Sequence, residues 1–135
     1  MPVLDASVLV EYLAGGEHGH RVGDRLRRRG EGLWAPHLVD AEVGHVLRRL
    51  VMAGEVRPAR AAAALADLAD MPFRRASHLG LLERAWALRA NVTFYDALYV
   101  ALAERLDMAL LTLDARLDGA PGIRVAIDVI SAGSS

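Results

Sequence analysis

The sequence predicts an α/β fold with a small, mainly parallel central sheet. Three observations carry that prediction. Short apolar runs alternate with longer helical segments along the chain, the pattern of successive βα units. Two runs, "PVLD" at 2–5 and "MALLTLD" at 108–114, stay apolar until a closing aspartate, as strands covered on both faces of a parallel sheet do. The 135 residues, 53% of them apolar, suffice for one domain with its own core and argue against long disorder.

The elements follow in order. "PVLD" is strand one, and "ASVLVEYLAG" continues as a helix stopped by Gly15–Gly16. "EHGHRVGDRLRRRG" is polar and helical in its second half, ending at Gly30, and "LWA" at 33–35 is a short strand before Pro36. "HLVDAEVGHVLRRLVMAG" carries apolar residues at 39, 43, 46, 47 and 50, a helical period, and stops at Gly54. The next helix opens with Pro58 in its first turn and runs to Pro72. "FRRA" at 73–76 reads as a short strand. "SHLGLLERAWALRAN" reads as a helix with Ser77 as N-cap and Asn91 as the residue just past its end. The stretch from 94 to 106 is apolar nearly all round, which marks a buried helix. Strands at 108–114 and 123–129 complete the pattern. Residues 1–131 form one domain by this reading, and residues 132–135 a flexible tail, with no repeat or linker.

Composition removes several function classes. There is no cysteine, so neither disulfides nor thiolate metal sites are possible. All 16 basic residues are arginine, which excludes a catalytic lysine and leaves every cation suited to bidentate phosphate or carboxylate contacts. Arginines cluster at 25–29, 48–49 and 74–75, as solvated surface or as an RNA or partner contact. The formal net charge of −1 does not announce a nucleic-acid binder. "MPVLDASVLVEYL" lacks a basic n-region, and Asp5 interrupts its apolar run, so it is neither a signal peptide nor a membrane span. A cytoplasmic protein is expected.

Four acids stand where α/β chemistry collects, outside the carboxyl ends of the strands. Asp5 closes strand one and Asp114 closes the run "ALLTL". Asp96 begins the buried helix that leads into the second of these strands, so its N-terminus returns to the same edge. Glu42 lies in the first turns of a helix that starts there too. Each acid also has a structural reading. Asp96 completes a capping box with Thr93, although that box prefers Glu or Gln. Glu42 sits near the positive end of its helix dipole, a role that Asp40, closer to the start, already fills. Asp5 and Asp114 are also acceptable turn residues. Convergence of all four on one edge favours a common role. Grouped carboxylates raise one another's pKa unless a cation sits among them. Carboxylate oxygens without sulfur or histidine suit Mg²⁺ or Mn²⁺, and such an ion activates water for phosphodiester hydrolysis without a side-chain nucleophile. His45 lies three residues beyond Glu42 and reads as a structural or rim residue, while His18 and His20 lack a zinc-site pattern. No Ser-His-Asp signature, GxGxxG or P-loop is present.

The motifs "LDASVLVEYL", "DAEVGHVLRRL", "YDALYVALAERL" and "LLTLDARL", in this order over residues 4–117, resemble those of PIN-domain ribonucleases, specifically the VapC-type toxins of type II toxin–antitoxin pairs. The resemblance implies a PIN-like α/β/α sandwich, usually dimeric. It implies that Asp5, Glu42, Asp96 and Asp114 bind the metal and carry catalysis, with Mg²⁺ or Mn²⁺ as the metal and no other cofactor. Ser7 and Thr112 match polar positions lining the site, and Asp118, one helical turn beyond Asp114, is a secondary candidate. It implies cleavage of structured RNA, often transfer or ribosomal RNA, and inhibition by a VapB-type antitoxin laid along the toxin. The apolar surfaces of the helices at 6–13, 38–53 and 59–70 are candidates for that groove. The modest net charge departs from the basic excess common in RNA binders, although a local arginine rim suffices for phosphate contacts. Two alternatives stand beside the nuclease: a catalytically inactive PIN module that binds RNA or protein, and a receiver-like phosphoacceptor. The latter calls for an adjacent acidic pair after strand one and a lysine, and this chain has neither.

Overall fold

A computed structural model describes residues 2–16, 19–29 and 32–130. Five short strands form one sheet in the order β3-β2-β1-β4-β5. They are β1 (Val3–Leu4), β2 (Trp34–Pro36), β3 (Arg74–Ala76), β4 (Leu110–Thr112) and β5 (Ile127–Val129). Every pairing is parallel: Val3 lies opposite both Trp34 and Leu110, Ala35 opposite Arg75, and Leu111 opposite Asp128. The chain therefore builds outward from β1 to β3, returns to the far side of β1, and builds outward again. The reversal falls between β1 and β4, and at such a switch point a crevice opens beyond the strand ends.

Each of the first three crossovers carries two helices, which parallel strands need to get back to the starting edge. They are α1 (Ala6–Ala14) and α2 (Gly19–Arg29), α3 (Leu38–Met52) and α4 (Pro58–Asp70), then α5 (Leu82–Ala87) and α6 (Phe94–Leu106). Helix α6 packs on β1, β2 and β4 with α5 behind it, while α1 packs with α2, α3 and α4. These two helical groups and the sheet make an α/β/α sandwich, as expected, with a sheet that is wholly parallel among the described residues.

Local chemistry explains the boundaries. Asp5 caps α1 by accepting the Val8 N–H at 3.2 Å, and Gly15 ends it at φ +72°, a conformation that costs glycine nothing. Thr93 caps α6 by accepting the Asp96 N–H at 3.1 Å. Seven consecutive residues of α6, Ala97 to Ala103, are buried, as a helix apolar all round must be. Val3, Leu4, Leu110 and Leu111 are wholly buried and form the floor of the core.

Three expectations are corrected. The helix predicted from Ser77 to Asn91 is a 3-10 turn at Leu79–Leu81 followed by the six residues of α5. Ser77 Oγ accepts the Leu79 N–H at 3.2 Å, while the N-cap position of the 3-10 turn itself falls to His78. After Ala87 the chain tightens into three-residue turns, Leu88 to Ala85 and Asn91 to Leu88. Asn91 is no helix terminator: its side chain donates to the Pro121 carbonyl at 2.9 Å. The last strand covers 127–129 rather than 123–129, because the preceding loop is tied to α5 and α6. Arg84 donates to the Gly122 carbonyl at 2.7 Å, and the Arg124 N–H to Glu104 at 2.8 Å. Strand 108–114 shortens to Leu110–Thr112 because the Asp114 N–H turns to the Thr112 hydroxyl at 3.0 Å. The expected helix end at Gly30 and the tail at 132–135 lie outside the described residues.

Candidate metal centre

Asp5 follows β1 directly and is 8% exposed. Its Oδ1 accepts from the Ser7 hydroxyl at 2.5 Å as well as from the Val8 N–H, and its Oδ2 accepts from the Thr112 hydroxyl. The Ser7 hydroxyl in turn accepts the Leu113 N–H at 3.1 Å. Ser7 and Thr112 thus stitch the ends of β1 and β4 together through one carboxylate. Burial nevertheless pushes the Asp5 acid up to about 6, opposed by these hydrogen bonds and reinforced by the charge of Asp96.

Glu42, half-buried in α3, accepts from the Tyr99 hydroxyl at 2.6 Å. Burial raises its pKa, the Tyr99 hydrogen bond opposes this, and Asp96 adds to it. Asp96 stands in the first turn of α6, where its backbone completes the Thr93 cap. Its pKa is also raised, first by burial, then by the charge of Asp114. Asp114 behaves differently. It caps the 3-10 turn at Ala115–Gly119 by accepting the Arg116 N–H at 3.0 Å. Its two oxygens also take a bidentate fork from the Arg116 guanidinium, at 3.0 and 2.9 Å. That fork holds the Asp114 acid below the usual carboxylate range.

Asp5, Glu42, Asp96 and Asp114 line one cleft of about 490 Å³, together with Tyr99 and Arg116. Asp96, Asp114 and Arg116 also line an adjoining cavity of about 220 Å³ under the Asn91–Thr93 segment. Ser7 lines the large cleft and Thr112 is buried beneath it. Asp118 is exposed and lines neither cavity. His45 is exposed and lies outside the cleft lining. His20 lies beside Asp24 at 3.5 Å, and His18 is outside the described residues. Asp40 is structural, accepting a bidentate fork from Arg75 at 2.7 and 2.9 Å. Arg25 pairs with Asp128, and Arg74 stacks over Trp34 at 5.5 Å, so two of the three arginine clusters contribute to packing. The side chains of 28 and 29 are outside the described residues.

The donor chemistry is all oxygen, which fits Mg²⁺ or Mn²⁺. Among the described residues no three acids or histidines stand as a ready-made metal cage. Asp114 is taken up by the Arg116 fork, and Asp5 accepts from the Ser7 and Thr112 hydroxyls. Tyr99 and Arg116 escape the sequence reading. Tyr99 lies three residues beyond Asp96 on the same helix face, and that spacing was the available signal. Arg116 lies two residues from Asp114, but charge alone does not say which way its side chain folds.

Known proteins share this fold and much of this sequence. The PIN domain family model matches residues 3–123. Ribonuclease VapC1 of Mycobacterium tuberculosis is 47% identical over 129 residues, covering 95% of this chain and 96% of that protein. The crystal structure of PAE2754 from Pyrobaculum aerophilum superposes with a TM-score of 0.66 at 26% identity, covering 96% of this chain and 87% of that one. A toxin–antitoxin complex from Klebsiella pneumoniae shares the fold, with a TM-score of 0.60 at 18% identity over 96% of this chain and all of its counterpart. A strand order that reverses beside an acid-lined cleft and a match over nearly the whole length lead to one conclusion: the chain belongs to the PIN-domain family, among the VapC-type ribonuclease toxins of toxin–antitoxin pairs.

Proposed function

We propose that this VapC-type ribonuclease is a Mg²⁺- or Mn²⁺-dependent endonuclease whose metal is held by Asp5, Glu42, Asp96 and Asp114. The observation that carries the reading is the opening of all four acids into one cleft at the switch point of the sheet. The chemistry supplied by such an ion when bound is polarisation of a phosphoryl oxygen and activation of a water. Ser7 and Thr112 hold Asp5 in one orientation, and Tyr99 does the same for Glu42. Hydrogen-bonded partners of this kind keep ligating carboxylates in place. The buried face of α6 supplies rigid backing for Asp96.

The substrate in this reading is structured RNA, transfer or ribosomal, and the site of action is the cytoplasm. No helix among the described residues is long and apolar enough to cross a membrane. The protein acts as a homodimer and is neutralised by a cognate VapB-type antitoxin. An apolar groove of about 290 Å³ between α3 and α4, where Met52 and Leu65 are exposed, supports antitoxin docking. A relative solved as a toxin–antitoxin complex supports the class of partner. The receiver-like alternative falls with the family assignment.

The decisive test is incubation of metal-loaded protein with total RNA, beside Asp5→Ala and Asp96→Asn variants. Cleavage by the wild type alone is expected. Equal cleavage by all three proteins would mean a contaminating nuclease. No cleavage or Mn²⁺ binding by the folded wild type would favour the inactive PIN module.

A further inference from the structure

We propose that Arg116 is a built-in counter-cation that occupies Asp114 in the metal-free protein and transfers to an RNA phosphate when the metal binds. The inference rests on the metal-centre reading above and concerns a residue that this reading leaves without a role. Three features of the geometry support it.

The first is the fork itself. Both Asp114 oxygens are engaged by the guanidinium, through Nε at 3.0 Å and Nη2 at 2.9 Å. A divalent ion and a guanidinium on the same carboxylate are two cations competing for one anion, and they repel each other. Arg116 must leave, or at least rotate, before Asp114 can serve as a full ligand. The second feature is that leaving is easy. The Arg116 side chain is 90% exposed, and exposed ion pairs contribute little to stability. The 3-10 turn keeps its cap without the guanidinium, because the cap is the Arg116 backbone N–H on Asp114 Oδ1. Release of the side chain therefore does not unravel the site. The third feature is where the side chain can go. Arg116 lines both the large cleft and the adjoining cavity, so its guanidinium is tethered at the mouth through which a backbone phosphate must approach the acids. The planar fork of arginine matches a phosphate as well as it matches a carboxylate, so a phosphate at the cleft can receive the guanidinium that the metal displaces. Metal and RNA then bind with positive coupling: the ion displaces the arginine from Asp114, and the phosphate receives it. The tethered cation also helps the crowded acids coexist before the metal arrives.

The test uses full-length wild type and Arg116→Ala, with Arg116→Lys as the charge-keeping control. Mn²⁺ binding is measured by calorimetry without RNA, and binding of a phosphorothioate 2′-O-methyl RNA oligonucleotide by fluorescence anisotropy in Mn²⁺ over a range of salt. R116A is expected to bind Mn²⁺ about fivefold more tightly, the strength of an exposed ion pair. It is also expected to bind the RNA more weakly, with a salt slope reduced by about 0.7, one phosphate contact on a single strand. R116K should fall between the two on the RNA measurement. Mn²⁺ and RNA affinities both unchanged in R116A overturn the inference while leaving the metal centre intact. Weaker Mn²⁺ binding in R116A also overturns it, since Arg116 would then support the metal. Failure of both wild type and R116A to bind Mn²⁺ overturns the metal-centre reading and this inference together.

Discussion

Replacing Asp5 by asparagine in metal-free protein is expected to stabilise the fold at neutral pH and to leave it nearly unchanged in acid. Asn caps helices about as well as Asp, so the Val8 N–H keeps its acceptor. The amide also keeps an acceptor for the Ser7 hydroxyl and offers an N–H to Thr112, as a protonated acid would. What the substitution removes is the charge. Burial raises the Asp5 pKa from 3.8 to about 6, which at about 1.4 kcal/mol per pH unit places the cost of keeping it ionised near 3 kcal/mol. The sign follows from proton binding. Between pH 3.8 and 6 the folded state holds a proton on Asp5 that the unfolded state has lost, so this residue's contribution to stability falls as pH rises. Above pH 6 the loss is complete. The wild type and D5N should therefore match near pH 4 and separate by up to about 3 kcal/mol at pH 7.5, or about 10 °C in Tm for a chain of this size. Urea unfolding in chelator at both pH values measures the difference directly, and other titrating groups cancel between the two proteins. Adding Mn²⁺ at about 100 times its Kd should return about 2.7 kcal/mol to the wild type and much less to D5N. An equal loss of stability in D5N at both pH values would refute the reasoning, because the hydrogen bonds of Asp5 would then outweigh its charge.

Three other outcomes follow from the same geometry. Asp96→Asn should abolish RNA cleavage while leaving metal-free stability unchanged or improved; a large fall in Tm in chelator would make Asp96 mainly a structural cap. Tyr99→Phe removes the donor to Glu42 Oε1 without changing the packing of a side chain 2% exposed; Mn²⁺ affinity should fall about tenfold, with a stability loss of about 1 kcal/mol, measured by calorimetry and urea unfolding. Arg84→Met should cost about 2 kcal/mol at pH 7, since it strands the mostly buried Glu104 carboxylate and frees the Gly122 loop. Hydrogen bonds from Arg84 and Arg124 hold the Glu104 acid low against the opposing effect of burial. The gap between wild type and R84M should therefore shrink as pH falls through the carboxylate range, and a gap that persists in acid would point to lost packing instead.

Much of the architecture was legible along the chain because its causes are local. Asp5 and Gly15 mark the ends of α1, Thr93 and the apolar run behind it mark α6, and Pro58 opens α4. Each of these signals acts within one or two helical turns. The continuously apolar runs around Leu4 and Leu111 announced buried parallel strands, and the acids that close them announced the edge where a site would lie. Misreadings occurred where a distant partner overrode a local preference. Asn91 has the chemistry of a helix terminator, yet it binds Pro121, 30 residues away. Residues 123–126 have a strand composition, yet Arg84 binds the Gly122 carbonyl and Glu104 the Arg124 N–H, and only at Ala126 does the segment reach the Leu110 N–H of β4.

By itself, then, the sequence determined most of the helices and strands, though not the break before α5 or the start of β5, and which four acids end near the carboxyl edge of the sheet. Short-range caps and apolar periodicity are enough for that. Only the tertiary structure decided how those acids are held. The Tyr99–Glu42 hydrogen bond spans 57 residues and the Thr112–Asp5 bond spans 107; the first needs α6 packed on β2 beside the start of α3, and the second needs β1 and β4 to be neighbours. Strand order is a global property, set by which crossover packs on which face, and no local pattern encodes it. The Arg116 fork is different again: its residues are close in sequence, but the second carboxylate whose charge acts on Arg116, that of Asp96, reaches it only in the folded chain.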